Sequence, residues 1–275
     1  MSLKETAAQT LDVLAAGGFL APDGRQISLQ PALSRAVQHT RLYTPNQALA
    51  LLEEPASAPS GPLSVEVTDE TTQIAARRLV ETEGVNDLVL LNFASARNAG
   101  GGFINGAKAQ EEDLCRCSGL YSCLIEQRQY YEANRENPSA LYTDHLIYSP
   151  EVPWFRARSC DQPDTVFLAS VITAPAPNAG VVRRQEADRQ QEIETVLRRR
   201  AGLVLAVAAA NGHRTVLLGA WGCGVFQNDP AMVADAFATW LESPRFATAF
   251  DRVVFAIYSR SADETLEAFK RRFGA

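Results

Sequence analysis

The sequence lacks several features that mark whole classes of proteins. No apolar run approaches the length of a membrane span, and residues 2–5 lack the apolar region of a signal peptide. The formal net charge is −6, so no overall positive charge is present that would favour nucleic acid. We therefore expect an intracellular, cytoplasmic protein that neither enters a membrane nor binds nucleic acid directly.

Cysteine and histidine are too few and too scattered to build a disulfide framework or a metal site. The five cysteines are an odd number, and the C-x-C pair within residues 115–117 lacks the spacing of a zinc knuckle. We expect structural thiols and no metal, with His39, His145 and His213 as structural or surface residues.

Two nucleotide-binding motifs are also missing. Residues 101–106 have the glycine spacing of a phosphate-binding P-loop, but Lys108 is displaced by one position and Ala109 replaces the magnesium-binding hydroxyl residue. The third glycine of a dinucleotide-binding fingerprint would fall at Asn105. Hydrolysis of a nucleoside triphosphate and Rossmann-type cofactor binding are therefore both disfavoured.

The hydrophobic pattern predicts alternating helices and strands. Helices are predicted at residues 3–16, 31–40, 45–52, 69–83, 114–130, 184–210, 230–242 and 262–272. Strands are predicted at residues 26–30, 63–67, 87–93, 144–148, 165–172, 215–220 and 252–258. Such alternation predicts an α/β fold in three layers, with helices on both faces of a mixed central sheet.

A stretch rich in proline, alanine and serine, residues 54–62, is the candidate boundary within the chain. We expect residues 1–60 to form an N-terminal helical extension and residues 61–275 to form the main domain. Ligands of such sheets bind beyond the carboxyl ends of the strands, so the loops at those ends carry the candidate site.

The first candidate loop follows the predicted strand at 87–93 and holds three consecutive glycines, residues 100–102. Backbone without Cβ atoms can approach a ligand closely, and N–H groups at a helix start favour an anion such as phosphate. Residues 110–112, Gln-Glu-Glu, follow at the mouth of the next helix and would address a neutral part of the same ligand. Without the glycines, these acids would indicate only favourable charge in the first turn of a helix.

A second glycine-containing loop, residues 221–226, follows the predicted strand at 215–220. Each loop alone is compatible with a tight turn, but both together suit a diphosphate lying between them. Phe226 has two possible roles, either packing in the core or stacking on a base or sugar.

These two loops carry a family resemblance. Residues 100–102, the spacer and residues 110–112 resemble the signature of poly(ADP-ribose) glycohydrolases, and residues 92–94 also fit. Residues 221–226 are similar to the diphosphate loop of the macrodomain fold on which those enzymes are built. Residues 10–14 and 40–45 resemble the N-terminal helical extension of the bacterial-type members. The resemblance covers nearly the whole chain and implies a macrodomain-like fold.

The resemblance implies hydrolysis of the ribose–ribose O-glycosidic bonds of poly(ADP-ribose), with release of ADP-ribose. That reaction needs a proton donor for the leaving oxygen, and a partly desolvated carboxyl group near another carboxylate suits this role. By its position in the motif, Glu112 is the general acid and then the base, while Glu111 orients Glu112 or the terminal ribose hydroxyls. Adjacent helical residues point about 100° apart, so we expect one acid/base and no covalent sugar–enzyme intermediate.

The resemblance also implies the binding residues. The terminal ribose, the diphosphate and the adenine would be held by Asn98, Gly100, Gly101, Gly102, Gln110, Gly222, Cys223, Gly224, Val225 and Phe226, with Thr68 and Asp69 nearest the adenine. No cofactor or metal is required, and the expected partners are poly(ADP-ribose) and ADP-ribosylated proteins, in reversal of ADP-ribosylation during the DNA-damage response. We expect a monomer. The alternatives are a mono-ADP-ribosyl hydrolase and a non-catalytic ADP-ribose-binding macrodomain.

Overall fold

The computed structural model describes residues 2–54, 62–258 and 264–274. Its strands are β1 (Gly18–Leu20), β2 (Gln26–Ser28), β3 (Arg41–Tyr43), β4 (Ser64–Thr68), β5 (Leu88–Phe93), β6 (Leu146–Trp154), β7 (Phe167–Ala174), β8 (Thr215–Leu218) and β9 (Arg252–Ala256). Its helices are α1 (Leu3–Ala16), α2 (Gln30–His39), α3 (Pro45–Glu53), α4 (Thr72–Arg77), α5 (Gln110–Cys117), α6 (Leu120–Leu124), α7 (Arg128–Glu136), α8 (Ala179–Gln185), α9 (Glu192–Ala210), α10 (Pro230–Leu241) and α11 (Glu264–Phe273).

Seven strands form a mixed central sheet in the order β3-β6-β7-β5-β8-β9-β4. The five strands from β7 to β4 are parallel to one another, while β6 runs antiparallel to both of its neighbours. The carboxyl ends of β7, β5 and β8 therefore meet at one edge of the sheet. Strands β1 and β2 form a separate two-stranded hairpin.

Both faces of the sheet are covered, as the apolar run of β5 requires. Val89 and Leu91 belong to a core shared with α3, α9, α10 and α11. Leu88 and Leu90 belong to a second core on the opposite face, shared with α4 to α7. Because successive residues of a strand point to opposite faces, one short segment joins both cores. The predicted α/β class, with three layers and a mixed sheet, is confirmed.

The single helix predicted at residues 114–130 is wrong. The structure has α5, α6 and α7 instead, because the backbone between α5 and α6 pairs with β6. Ser118 is extended and bridges to Trp154, and Gly119 N donates to Pro153 O at 2.9 Å. Helix α5 also begins four residues earlier than predicted, at Gln110.

The helix predicted at residues 184–210 is also two helices, α8 and α9. Glu186 interrupts it with an extended φ of −135°, and its carboxylate accepts hydrogen bonds from Ser139 Oγ and from Ala140 N. Tertiary hydrogen bonds therefore end a segment that its periodicity would continue. The helix predicted at 69–83 begins at Thr72 and ends in a π-helical turn at Arg78–Thr82.

Other elements agree with the pattern or were too short to predict. Helix α1 has a capping box at Ser2 and ends at Gly17, whose φ is +68°, as the glycine predicts. The strands β1 and β3, of three residues each, were not predicted.

The proposed domain boundary stays a prediction, since residues 55–61 lie outside the described residues. The part of the chain before it supplies β3, whose residues pair with β6 in the central sheet. None of the helices in the described ranges is long and apolar enough to cross a bilayer.

Candidate active site

Two loops meet at the carboxyl ends of β7, β5 and β8. The first comprises residues 94–109 after β5, and the second comprises residues 219–229 after β8. The end of β7 joins them, because Ala174 O accepts hydrogen bonds from Ala94 N at 3.2 Å and from Trp221 Nε1 at 3.1 Å. The structure therefore brings together the two loops that the sequence placed in one site.

The first loop wraps around the carboxyl group of Glu112. Gly101 has a φ of +56°, and a Cβ at that position would fall within 3.0 Å of Glu112 Oε1. Gly102 N donates to the same oxygen at 2.8 Å. The N–H groups of Gly101 and Gly102 are thus used within the protein, the former by Asn98 O at 3.0 Å. Gly101 and Gly102 are therefore required first to hold the carboxyl group of Glu112 in place.

The second oxygen of Glu112 has no such bond. The side chain is only 7% exposed, and its Oε2 atom is buried without a hydrogen-bond partner among the described residues. A buried polar atom without a partner costs about 1–3 kcal/mol, so such atoms mark places where a ligand or a proton is exchanged. Glu112 is therefore fixed through one oxygen, while the other makes no hydrogen bond within the described chain.

Glu111 is buried more deeply and held at both oxygens. It is 1% exposed, and it accepts hydrogen bonds from Asn92 Nδ2 at 3.2 Å and from Ser95 N at 2.7 Å. Burial raises the pKa of Glu111 to about 8, although both donors favour the charged form, and the neighbouring Glu112 charge adds to the rise. Glu111 therefore holds its proton near neutral pH.

Gln110 faces the sheet and not the cleft. Its Oε1 accepts from Phe93 N at 2.8 Å, and its Nε2 donates to Leu91 O at 2.8 Å and to Thr72 Oγ1 at 3.1 Å. These bonds join the first turn of α5 to the end of β5 and to α4. The amide thus fixes the direction in which α5 leaves the loop.

Two buried arginines hold the rest of α5. Arg116 donates to Ala107 O at 3.0 Å and to Asp113 Oδ1 at 2.8 Å, which fastens the end of the first loop to the helix. Arg156 donates to Arg116 O and to Thr10 Oγ1 of α1 at 2.8 Å. Because both guanidinium groups are almost fully buried, this contact with α1 makes a rigid support for the two glutamates.

The second loop presents backbone N–H groups. Gly222 has a φ of +72°, and a Cβ there would meet Ala176 Cβ at 2.6 Å. The N–H groups of Gly224, Val225 and Phe226 donate no hydrogen bond within the described part of the chain. Gly224 and Val225 are exposed, so this segment can approach an anion with its main chain.

Aromatic side chains line one side of the cleft. Phe226 is half-buried and packs partly against the core, and its ring centroid lies 6.0 Å from that of Tyr142. Tyr142 has a φ of +60°, which is rare for a bulky residue and occurs mostly at functional positions. Cys223 lies half-buried in the same loop and is not in a disulfide.

The remaining predicted site residues lie apart from the glutamates. Asn98 is exposed beside the glycines, and its N–H donates to Ser95 Oγ at 3.2 Å. Thr68 and Asp69 lie at the end of β4, three strands away from β5 at the edge of the sheet. The predicted contact of Thr68 and Asp69 with adenine stays a prediction.

Sequence reasoning missed two residues of the site, Ser95 and Tyr142, and it gave Asn92 no role beyond its place in the motif at residues 92–94. Asn92 is fully buried and also donates to Thr173 Oγ1 at 3.1 Å. An amide within the otherwise apolar β5 was a signal that could have identified Asn92. Ser95 and Tyr142 carry no such signal, because only the folded chain brings them to the site.

The histidines and cysteines lie away from these contacts or form no cluster. His213 is buried between Tyr148 Oη, at 2.8 Å, and Asp87 O, at 2.6 Å, near the amino end of β8. Burial lowers the pKa of His213. Within residues 2–54, 62–258 and 264–274, no three potential metal ligands come together.

Fold and site together define a macrodomain-like hydrolase, with its acids beside two glycine-containing loops at the carboxyl edge of a mixed sheet. Comparison with known families matches residues 7–157 to "Microbial-type PARG, catalytic domain". The chain therefore belongs to the microbial-type poly(ADP-ribose) glycohydrolase (PARG) family, whose members hydrolyse glycosidic bonds, and the resemblance seen in the two motifs is confirmed.

Solved structures give the same result. A PARG from Thermomonospora curvata bound to the inhibitor ADP-HPD is 43% identical, with a TM-score of 0.90, over 98% of this chain and 99% of that one. A PARG from Deinococcus radiodurans in complex with ADP-ribose is 47% identical, with a TM-score of 0.80, over 88% of this chain and 97% of that one. Among curated proteins, no significant match was found.

Proposed function

We propose that this protein hydrolyses the ribose–ribose O-glycosidic bonds of poly(ADP-ribose) and releases ADP-ribose, with Glu112 as the single general acid and base. The observation that carries the assignment is the asymmetry of the Glu112 carboxyl group. Oε1 accepts the Gly102 N–H, while Oε2 is buried without a partner in the described chain. One oxygen thus fixes the group, and the other can deliver and take back a proton.

The reaction proceeds in two steps. As the bond between the anomeric carbon and the leaving oxygen breaks, Glu112 gives its proton to that oxygen, which becomes the hydroxyl of the next unit. A water oxygen then bonds to the anomeric carbon, and the Glu112 carboxylate takes the proton that the water loses. The diphosphate of the bound unit helps to stabilise the positive charge that grows on the ribose between these steps.

Glu111 supports this chemistry without contacting the leaving oxygen. Both of its oxygens accept hydrogen bonds from β5 or from the start of the first loop. A protonated Glu111 places no second negative charge beside Glu112, so one carboxylate can form there without strong like-charge repulsion. We assign Glu111 and Gln110 as positioning residues for α5 and its Glu112.

The binding residues divide by position. The N–H groups of Gly224, Val225 and Phe226 suit the diphosphate, since those of Gly101 and Gly102 already donate within the protein. Phe226 and Tyr142 form an aromatic wall beside the terminal ribose. Thr68 and Asp69, at the edge strand β4, suit the adenine end of the ligand. ADP-ribosylated proteins would be the carriers of the polymer, and we propose a monomeric enzyme.

The test is incubation of the purified protein with a protein automodified by poly(ADP-ribose). Release of free ADP-ribose with shortening of the polymer is the expected result. Intact polymer together with tight ADP-ribose binding would identify a binding module instead. Removal of single units from a mono-ADP-ribosylated protein, with the polymer left intact, would identify a mono-ADP-ribosyl hydrolase.

A further inference from the structure

Four exposed arginines surround the candidate site without forming an ion pair. Arg97 lies in the first loop, Arg135 on α7, and Arg183 and Arg184 on α8. None of them has a carboxylate partner among the described residues. Some arginines on other surfaces are paired, as in Arg78–Glu70, Arg214–Asp251, Arg252–Glu66 and Arg272–Glu242. Others, such as Arg158 and Arg271, are exposed and have no carboxylate partner among the described residues. Four arginines without a carboxylate partner therefore lie together beside the two loops of the site.

The arginines follow one continuous border of the cleft. Arg135 Nη1 donates to Arg97 O at 2.8 Å, which joins α7 to the first loop. Arg183 Nη1 donates to Gln227 O at 3.0 Å, which joins α8 to the end of the second loop. The segment that follows α7 connects the two pairs, since Asn178 N at the start of α8 donates to Ala140 O. We call Arg97, Arg135, Arg183 and Arg184 the arginine border.

The arginine border lies on the side of the site opposite to the adenine end. In the sheet order β7-β5-β8-β9-β4, the proposed adenine end lies toward β4. Glu112 is on the helix that follows β5, and Phe226 O accepts a hydrogen bond from Gly180 N of α8, the helix that follows β7. The scissile bond is therefore at the β7 side of the bound unit. The polymer on the other side of that bond must leave over α7 and α8, where the arginine border is.

We propose that the arginine border binds the phosphates of the ADP-ribose unit that follows the scissile bond. This proposal rests on the proposed function. Each unit of the polymer carries two phosphates, and an arginine with no carboxylate partner can bind a phosphate through two N–H groups. The chain as a whole has a net charge of −6 and would repel a polyanion, so local positive charge is needed where the polymer leaves.

The test removes charge without removing the hydrogen bonds that hold the loops. The side chains of Arg97 and Arg184 make no hydrogen bond to another described residue, so Arg97→Gln with Arg184→Gln changes charge alone. The matched control is Arg158→Gln with Arg271→Gln, two exposed arginines that also have no carboxylate partner among the described residues, in the connection between β6 and β7 and in the last turn of α11. Both double changes are made in a Glu112→Gln chain, which is expected to bind polymer without cleaving it.

Equilibrium binding of long poly(ADP-ribose) and of ADP-ribose is then measured over a range of NaCl concentrations. The Arg97/Arg184 change should raise the polymer Kd about tenfold and make the slope of log Kd against log salt shallower by about 1.4, as expected for two lost phosphate contacts on a single strand. The ADP-ribose Kd should stay unchanged, because ADP-ribose lacks the following unit. The control change should leave both Kd values at those of the parent.

The proposal would be overturned if the Arg97/Arg184 change left the polymer Kd unchanged, or if the control change raised that Kd equally. An equal rise in the Kd of ADP-ribose would also overturn it, because the arginines would then contact the first unit. Turnover of polymer by the unaltered chain is measured separately. Absence of turnover would refute the proposed function. The binding experiment tests independently whether the arginine border binds the polymer.

Discussion

The backbone of Gly101 lies directly against the carboxyl group of Glu112, so close that the loop has no space for a side chain. A Cβ on Gly101 would also lie 3.3 Å from Glu111 Oε2. The position of the Glu112 carboxyl group therefore depends on Gly101, which has no side chain and takes no part in the reaction. This relationship gives the first of four predictions.

Gly101→Ala should lower kcat by about 100-fold or more, because the new methyl group displaces Glu112 from its seat and small displacements of a reacting group are costly. Steady-state release of ADP-ribose measures this loss. The matched control is Gly84→Ala, which also has a positive φ, of +75°, but has no atom within 4 Å of the added Cβ. The control bears only the backbone strain, about 1–2 kcal/mol, and should keep its turnover. An equal fall of kcat in both variants would show that backbone strain, and not displacement of Glu112, is responsible.

Glu112→Gln should lower turnover of polymer by about 100- to 10,000-fold, since the amide cannot give up a proton to the leaving oxygen. The ADP-ribose Kd, measured by calorimetry, should change little, because the amide oxygen can still accept the Gly102 N–H. Glu126→Gln, at an exposed position after α6, is the control with the same change of group. Near-normal turnover of the Glu112 variant would remove this residue from the mechanism.

Glu111→Gln should flatten the dependence of stability on pH. Between its ordinary pKa of 4.5 and its folded pKa of about 8, Glu111 is protonated in the folded protein and ionised in the unfolded chain. The unfolded chain then binds fewer protons, so the free energy of unfolding falls as pH rises, by at most about 1.4 kcal/mol per pH unit for one group. The contribution of Glu111 protonation to the free energy of unfolding is therefore complete below pH 4.5 and lost by about pH 8.

Urea unfolding at about pH 5, 6.5 and 8 measures this effect. The difference in unfolding free energy between the Glu111→Gln variant and the parent should move in favour of the variant as pH rises. Titrating groups that do not interact with Glu111 cancel in that difference. Glu132→Gln, on the exposed face of α7, should give a curve parallel to that of the parent. A parallel curve for Glu111→Gln as well would refute the raised pKa.

We expect Gln110 to contribute to the stability of the fold and not to contact the ligand. Gln110→Ala leaves the Phe93 N–H and the Leu91 carbonyl without their partner, which costs about 1–3 kcal/mol for each group that stays buried. Gln110→Glu should not rescue the loss, because a carboxylate cannot donate to Leu91 O or to Thr72 Oγ1. Thermal unfolding and the ADP-ribose Kd are measured together. Weakened ADP-ribose binding with an unchanged Tm would show that Gln110 contacts the ligand, as the family resemblance implied.

The sequence predicted the parts of the site that lie close together along the chain. The glycines and the acids at 110–112 are separated by one short spacer, and the strands before both glycine loops have clear apolar runs. Local backbone rules are enough to predict such segments. Short elements such as β3 and the interruption of α5 at Ser118 depend on pairing with distant β6, so hydrophobic periodicity did not reveal them.

The chemistry within the site was less predictable than its position. The proton donor was expected to be a partly desolvated carboxyl group near another carboxylate, and Glu111, assigned an orienting role, is the residue whose pKa burial raises to about 8. Tertiary contacts explain this result, because hydrogen bonds from Asn92 and Ser95 hold the Glu111 side chain buried beneath the first loop. Likewise, the glycine N–H groups expected for a phosphate are partly used by Asn98 and Glu112.

Strand β3 has a consequence for any shortened form of this protein. It covers the outer edge of β6, so a truncation that begins at β4 would uncover a row of unpaired backbone groups. Such an edge can join the edge of another molecule, and self-association would compete with refolding. A recombinant fragment designed around the later residues alone should therefore precipitate, even though it retains every proposed contact with the polymer.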